Sequence, residues 1–169
     1  LDSHASPAVF TPDSKQAYFT AVLKGRVRLF RVSLTGGEAP VEVRSGEADD
    51  LQVVRGADGG AAALVYKAAS FTRSAELFRL PLVEGAAPQA LTALNQAVWR
   101  EAQVGNVSEL WTKTADGQPL HSFLVTPPGF DPARRYPAVV LIHGGPQGAW
   151  EDGWHWRWNP QIYAGAGYV

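Results

Sequence analysis

A histidine and two glycines directly follow an apolar run near the end of the chain. The run 137–142 reads PAVVLI, and His143, Gly144, Gly145 and Pro146 come next. Two glycines at the end of a buried strand allow a sharp turn that leaves backbone N–H groups unpaired. Such groups can stabilise the oxyanion of an acyl-transfer reaction, and removal of one donor raises the barrier by about 3 kcal/mol. An ordinary tight turn is the competing interpretation.

The neighbours of Gly145 would shape this loop. Gly144 lets a substrate approach the backbone closely, and Pro146 fixes φ without offering an N–H group. His143 would orient the loop or line a cleft. These three residues are therefore predicted to support the loop.

Four of the six tryptophans lie in the segment 150–158, WEDGWHWRW. Trp150 and Trp154 are candidates for a wall of a substrate-binding cleft, and burial between two domains is an equally open interpretation. For Trp158 we favour burial. Arg157 could bind a substrate carboxylate or carbonyl, but we expect it to pair with Glu151 or Asp152.

No metal site and no cofactor are predicted. Glu151 and His155 are four residues apart and His143 lies upstream, but Gly148 and Gly153 make the intervening loop too irregular for a rigid zinc site. The chain has no cysteine, which excludes disulfides and thiolate ligands. This composition leaves the cellular compartment undecided.

The elements around the loop resemble an α/β unit. The apolar run 138–142 is predicted to be a strand covered on both faces. Asn159 and Pro160 suit the N-cap and first position of a helix over 161–166, which Gly167 would end. Upstream, the runs 107–114 and 120–125 are predicted to form a hairpin, since Asp116-Gly117 separates them.

An internal repeat occupies the first half of the chain. Leu29-Phe30-Arg31 recurs as Leu77-Phe78-Arg79, at an offset of 48 residues. Strands are predicted at 16–22, 26–34, 62–68 and 76–82. A unit of this length with several short strands is typical of one β-propeller blade, which we favour over a duplicated meander in a sandwich.

The composition is that of a globular protein. Of the 169 residues, 46% are hydrophobic and 18% charged, and the net charge is −1, which argues against a nucleic-acid partner. No apolar run reaches the roughly 20 residues of a membrane helix, so no membrane span is predicted. The chain begins without methionine and ends as an apolar run starts, so we expect a piece of a longer protein. Its oligomeric state is left open.

Several motifs together resemble the prolyl oligopeptidase family, in particular its dipeptidyl-peptidase V and acylaminoacyl-peptidase branches. They are TPPGFDPARRYP (126–137), HGGPQGAW (143–150), RWNPQ (157–161) and GYV (167–169). The resemblance implies a mainly β chain that holds the last blades of a β-propeller (1–94), a connector (95–106) and the first strands and helix of an α/β-hydrolase domain (107–169).

The resemblance also implies a serine peptidase that cleaves short peptides without a cofactor. That family uses a Ser-Asp-His triad, with the serine in a Gly-x-Ser-x-Gly motif that this chain lacks. By family match, the N–H of Gly145 is assigned to the oxyanion hole, the triad lies beyond Val169, and the chain alone is expected to be inactive. A carboxylesterase or lipase, and a non-catalytic propeller that binds proteins, are the alternatives.

Overall fold

The computed structural model describes residues 4–145 and 147–169, which form three antiparallel sheets and two short helices. The strands are β1 (Val9–Phe10), β2 (Gln16–Leu23), β3 (Arg26–Ser33), β4 (Val41–Ser45), β5 (Asp49–Arg55), β6 (Ala61–Ser70), β7 (Arg73–Pro81), β8 (Gln89–Ala90), β9 (Asn106–Lys113) and β10 (Pro119–Thr126). The helices are α1 (Gln96–Glu101) and α2 (Pro160–Gly165).

The first two sheets are four-stranded meanders, ordered β1-β2-β3-β4 and β5-β6-β7-β8. Each long strand pairs with its neighbour in sequence, and β9 and β10 form a separate hairpin. The four predicted strands of the repeat and the predicted hairpin are confirmed. The edge strands β1, β4, β5 and β8 were not predicted, and α1 lies within the segment predicted as a connector.

The repeat is visible as two equivalent hairpins. In β2 and β3 the turn joins Leu23 to Arg26, and in β6 and β7 it joins Ser70 to Arg73, 47 residues later. A β-bulge between β6 and β7 then adds one residue, which restores the offset of 48 seen in the sequence. Stacked aromatic pairs consequently occupy equivalent places: Phe19 with Phe30, and Tyr66 with Phe78.

The main core lies between the two four-stranded sheets. Its largest buried side chains are Tyr66, Leu29 and Leu64. The opposite face of the second sheet has no such cover among the described residues. Leu77, the repeat equivalent of the fully buried Leu29, is therefore 44% exposed. Residues that correspond in the repeat therefore differ in burial, because only one face of the second sheet packs against another described sheet.

The predicted strand over 138–142 does not form a regular ladder. Val139 N–H donates to the carbonyl of Val169 over 2.8 Å, and Val169 N–H donates to the carbonyl of Pro137 over 2.9 Å. These two bonds form one parallel bridge, as expected where an α/β sheet begins. Val140 and Ile142 are 80% and 83% exposed, contrary to the predicted cover, because no other described segment packs on them.

The second helix begins and ends as predicted. The Asn159 side chain accepts a hydrogen bond from Gln161 N–H over 3.0 Å, Pro160 takes the first position, and Gly167 follows the helix at φ +90°. The Gln161 amide bonds both the N–H and the carbonyl of Gly105, which fixes α2 beside the start of β9. Neither helix in the described part of the chain is long enough to cross a membrane.

Candidate active site

The loop after the apolar run is closed by two polar contacts. The Trp150 indole Nε1–H donates to the carbonyl of Leu141 over 3.0 Å, which ties the end of the loop to its start. The His143 Nδ1 atom lies 3.0 Å from the carbonyl oxygen of Gly144, where the Nδ1–H tautomer donates. His143 therefore holds its own loop, and its ring is not engaged with an acidic partner in the described residues.

Gly145 adopts a backbone conformation that other residues rarely reach. Its φ is +146°, and a Cβ atom built there would lie 2.9 Å from both N and O of Gln147. Within 4–145 and 147–169, the Gly145 N–H donates no hydrogen bond. Gly144 differs, since a Cβ there meets no heavy atom within 4 Å. Pro146, predicted to support the loop, lies outside the described residues.

A cavity of about 480 Å³ lies beside this loop. His143, Gly144, Trp150, His155 and Trp158 line it together with the apolar run. The Trp150 and His155 rings meet edge to face at 5.3 Å, so Trp150 forms part of the cavity wall. Trp158, which we expected to be buried, is 49% exposed at the rim.

Trp154 packs toward the propeller-like sheets. Its ring meets that of Trp99 on α1 edge to face at 5.1 Å, and the Arg73 guanidinium lies 5.0 Å from the Trp99 ring centre. Trp154 does not line the cavity beside the loop. Of the two roles left open for Trp154, these contacts favour burial between parts of the molecule over a place in the cleft wall.

Asp152 joins the segment after the loop to both four-stranded sheets. Its carboxylate pairs with Arg26 at the turn of β2 and β3, and it accepts a hydrogen bond from Phe71 N–H, at the turn of β6 and β7, over 3.3 Å. Its backbone N–H donates to the carbonyl of Gly25 over 3.1 Å. The pairing expected between Arg157 and Glu151 or Asp152 is not found in the described part of the chain. The Arg157 guanidinium instead lies over the Trp158 ring at 5.4 Å.

The hairpin of β9 and β10 rests on the same two turns. Arg26 also pairs with Glu109 of β9 over 2.7 Å, and this hydrogen bond lowers the pKa of the Glu109 carboxyl. The Phe123 ring meets Phe71 edge to face at 4.9 Å. Gly25 lies so close to Phe123 that a Cβ would approach its ring to 3.0 Å. Arg26 thus connects one sheet to two parts of the downstream chain.

Glu47 is a carboxylate packed against the segment after the loop. A Cβ on Gly153 would lie 3.0 Å from the Glu47 carboxylate, and Glu47 Oε2 is buried without a hydrogen-bond partner in the described part of the chain. Burial raises the pKa of the Glu47 carboxyl, partly offset by the charge of Lys67. The contact between Glu47 and the segment after the loop is therefore expected to become less favourable as the pH rises and this carboxyl ionises.

Sequence reasoning missed the residues that join the two halves. Arg26 and Asp152 are 126 positions apart, and no motif spacing links them. Trp99 was placed in a connector and given no role. Among the residues that the structure describes, no three His, Asp or Glu side chains gather in a group that could hold a metal ion.

No family model matches the chain. It is 32% identical over 171 aligned positions to dipeptidyl-peptidase 5 of Porphyromonas gingivalis, an alignment that covers all of this chain and 24% of that protein. It is 44% identical over 80 residues to dipeptidyl-peptidase 5 of Schizosaccharomyces pombe, over 45% of this chain and 12% of the relative.

Among solved structures, acylaminoacyl peptidase of Pyrococcus horikoshii superposes on 99% of the chain with a TM-score of 0.73 and 21% identity. That match covers 24% of the archaeal chain, so this sequence spans about a quarter of the proteins that it matches end to end. The described sheets correspond in fold to that part of the neighbour. The chain thus belongs to the prolyl oligopeptidase family, as a mainly β segment that joins the last propeller blades to the start of an α/β-hydrolase domain.

Proposed function

We propose that the chain is the propeller-to-hydrolase segment of a serine peptidase that cleaves short peptides. Residues 1–94 are the blades, 95–106 the connector and 107–169 the opening of the hydrolase domain. The relatives named above are dipeptidyl-peptidases and an acylaminoacyl peptidase. The observation that carries the proposal is the N–H of Gly145, which has no acceptor among the described residues and follows an apolar run that begins a parallel sheet.

Gly145 would supply one donor of the oxyanion hole. When a nucleophile attacks a peptide carbonyl, negative charge develops on the oxygen, and a fixed N–H donor stabilises that charge more than the ground-state carbonyl. Gly145 needs no side chain for this role, and its φ orients the backbone in a way that a Cβ would prevent. By family resemblance, the second donor and the triad come from sequence beyond Val169.

The propeller blades would hold this donor in place. Asp152 follows the loop by a few residues and is bonded to the turns of both sheets. An anchor with a buried carboxylate limits how far the loop can drift, and small displacements of catalytic groups are costly. Trp150 and His143 would then line the acyl side of the cleft.

The proposal is tested on the full-length protein with a covalent serine reagent. We expect stoichiometric labelling of one serine and loss of hydrolysis of a peptidyl amide. The chain of 169 residues, purified by itself, is expected to hydrolyse neither the amide nor a simple ester, because positioning and half an oxyanion hole remain without a nucleophile.

Two results would contradict the proposal. Hydrolysis of the ester but not the amide by the full-length protein would support a carboxylesterase. No labelling and no hydrolysis would support a propeller that binds proteins without catalysis.

A further inference from the structure

A second cavity, of about 510 Å³, lies between the two propeller blades and helix α1. It shares no lining residue with the cavity beside the His-Gly-Gly loop. Its walls are largely apolar, with Ala68, Phe78, Ala93 and Trp99 among them. Three arginines and a single glutamate supply the charges on its lining, so the net charge of the lining is positive.

The Arg44 guanidinium lies against two aromatic rings at this cavity. It lies 5.3 Å from the Tyr66 ring centre and 5.6 Å from the Phe78 ring centre. Its Nη1 atom is buried and has no hydrogen-bond partner among the described residues. A guanidinium held against aromatic rings keeps its N–H donors in a fixed plane, where a carboxylate can accept two of them.

Arg73 and Arg100 add two further cations. The Arg73 guanidinium lies over the Trp99 ring and donates a hydrogen bond to the carbonyl of Thr72. In the described ranges 4–145 and 147–169, none of the three arginines forms an ion pair. Their charges are therefore available to a ligand.

The glutamate of the cavity does not neutralise these arginines. Glu76 accepts hydrogen bonds from the Thr92 hydroxyl and, over 3.4 Å, from Asn95 N–H. Thr92 lies near the end of the blades and Asn95 begins the connector, so Glu76 holds the junction of the two on β7. Among the described residues, its carboxylate accepts from Thr92 and Asn95 and forms no ion pair with a guanidinium.

We propose that this cavity binds an organic carboxylate that carries an aromatic ring. The carboxylate accepts hydrogen bonds from Arg44, with Arg73 and Arg100 adding charge, and the ring packs on Phe78 and the alanines. A singly charged carboxylate suits the apolar walls better than a doubly charged phosphate, because transfer of charge out of water is costly. The site does not depend on the catalytic triad and goes beyond the proposed peptidase activity.

The test is calorimetric titration of the full-length protein with 3-phenylpropionate. Its neutral analogue, 3-phenylpropanamide, measures the contribution of the ring alone, and phenyl phosphate tests the other class of oxyanion. We expect the carboxylate to bind at least tenfold more tightly than either. Arg44→Gln is expected to weaken carboxylate binding about tenfold or more, in the range of a lost charge-assisted hydrogen bond.

Arg79→Gln is the matched control, because Arg79 follows the cavity residue Phe78 on β7 but lies outside the cavity lining. Its expected effect on the dissociation constant is below twofold. Should Arg44→Gln unfold the protein, Arg100→Gln replaces it, since Arg100 is exposed on α1 and its loss is expected to weaken binding about threefold by charge alone.

Three outcomes would overturn the assignment. Equal binding of the amide would show an apolar groove without anion recognition. Tighter binding of phenyl phosphate would show a phosphate site. Absence of carboxylate binding to the wild-type protein, or binding that the arginine substitutions leave unchanged, would show that this cavity does not bind a carboxylate.

Discussion

The blades and the hydrolase segment solve the same problem, burial of apolar strands, in opposite ways. In the blades, β2 and β3 or β6 and β7 pair across a two-residue turn, and Leu29 and Leu64 are fully buried between two adjacent sheets. In the hydrolase segment, the apolar run 138–142 meets one parallel partner, Val169, across a loop and a helix. Ile142 remains 83% exposed.

The difference follows from strand direction. Antiparallel neighbours close with a short turn, so a blade can be completed by about 45 consecutive residues. Parallel neighbours need a crossover, and each inner strand of a parallel sheet requires a partner on both sides. Blade stability is therefore mostly local, whereas the loop that carries Gly145 depends on residues distant in sequence, such as Arg26, which pairs with Asp152.

The comparison is tested most strongly at Gly145. In the full-length protein, Gly145→Val is expected to lower kcat by two to three orders of magnitude, with a much smaller change in KM, because the donor acts on charge that develops toward the transition state. Active-site titration with a covalent serine reagent gives kcat per folded site.

Gly165→Ala is the matched control for this variant. A Cβ on Gly165, the last residue of α2, meets no heavy atom within 4 Å, and Gly165 is not among the residues with positive φ, so kcat per site should stay near the wild-type value. If Gly145→Val leaves kcat per site unchanged, Gly145 is an ordinary turn residue and the oxyanion assignment is wrong.

Truncation of an apolar side chain is expected to lower the free energy of unfolding more in the blades than in the hydrolase segment. Leu29→Ala in the 169-residue chain is expected to lower the free energy of unfolding by about 3 kcal/mol, as for other fully buried leucines. Ile142→Ala is expected to change it by less than about 0.5 kcal/mol, because its side chain is exposed. Urea denaturation measures both, and equal losses would refute the contrast.

The ion pair between Asp152 and Arg26, which connects the two regions, is expected to make an intermediate contribution to the free energy of unfolding. Asp152→Asn removes the charge that pairs with Arg26 while keeping an acceptor for Phe71 N–H, so we expect a loss of about 1–2 kcal/mol. Glu42→Gln breaks the more exposed pair with Arg28 inside one blade and should cost less than about 0.5 kcal/mol. A larger loss for Glu42→Gln would place the stronger ion pair within the blade.

The smallest expected effect is the pH dependence at Glu47. Because burial raises the pKa of this carboxyl in the folded chain, the folded state binds more protons than the unfolded state between the two pKa values. Stability is then lost as the pH rises from about 4.3, the ordinary glutamate value, through the raised pKa.

Glu47→Gln should remove this loss. The variant is expected to melt a few degrees higher than wild type at pH 8 and at nearly the same temperature at pH 4, in thermal unfolding monitored by circular dichroism. Glu84→Gln, at an exposed position, is the control and should not change the pH profile. A wild-type melting temperature that rises from pH 4 to pH 8 relative to Glu47→Gln would contradict the prediction.

Much of the local architecture was predictable from the sequence. The hairpin of β9 and β10 follows from Asp116-Gly117 between two apolar runs, and α2 follows from Asn159, Pro160 and Gly167. These signals act over a few residues, through turn geometry and capping, so a neighbouring residue is enough to decide them. The repeat was visible in the sequence because each of its two units carries the same short turn and strand signals.

Pairing partners and burial were not predictable in this way. Arg157 was expected to pair with Glu151 or Asp152, but the fold brings Arg26 to Asp152 from 126 positions away. Trp158 was expected to be buried and is half exposed, and the short strands β1 and β8 carry too few residues to show a pattern.

The sequence by itself determined the glycine loop, the blade repeat and the family to which they point. Only the tertiary structure decided which face of each sheet is covered, that Leu29 is buried while its repeat equivalent Leu77 is exposed, and that Asp152 connects the loop to both blades. The physical reason is the distance along the chain over which each kind of interaction acts. Turns, caps and alternation are set by neighbouring residues, whereas burial and ion pairing depend on which distant surfaces the folded chain brings together.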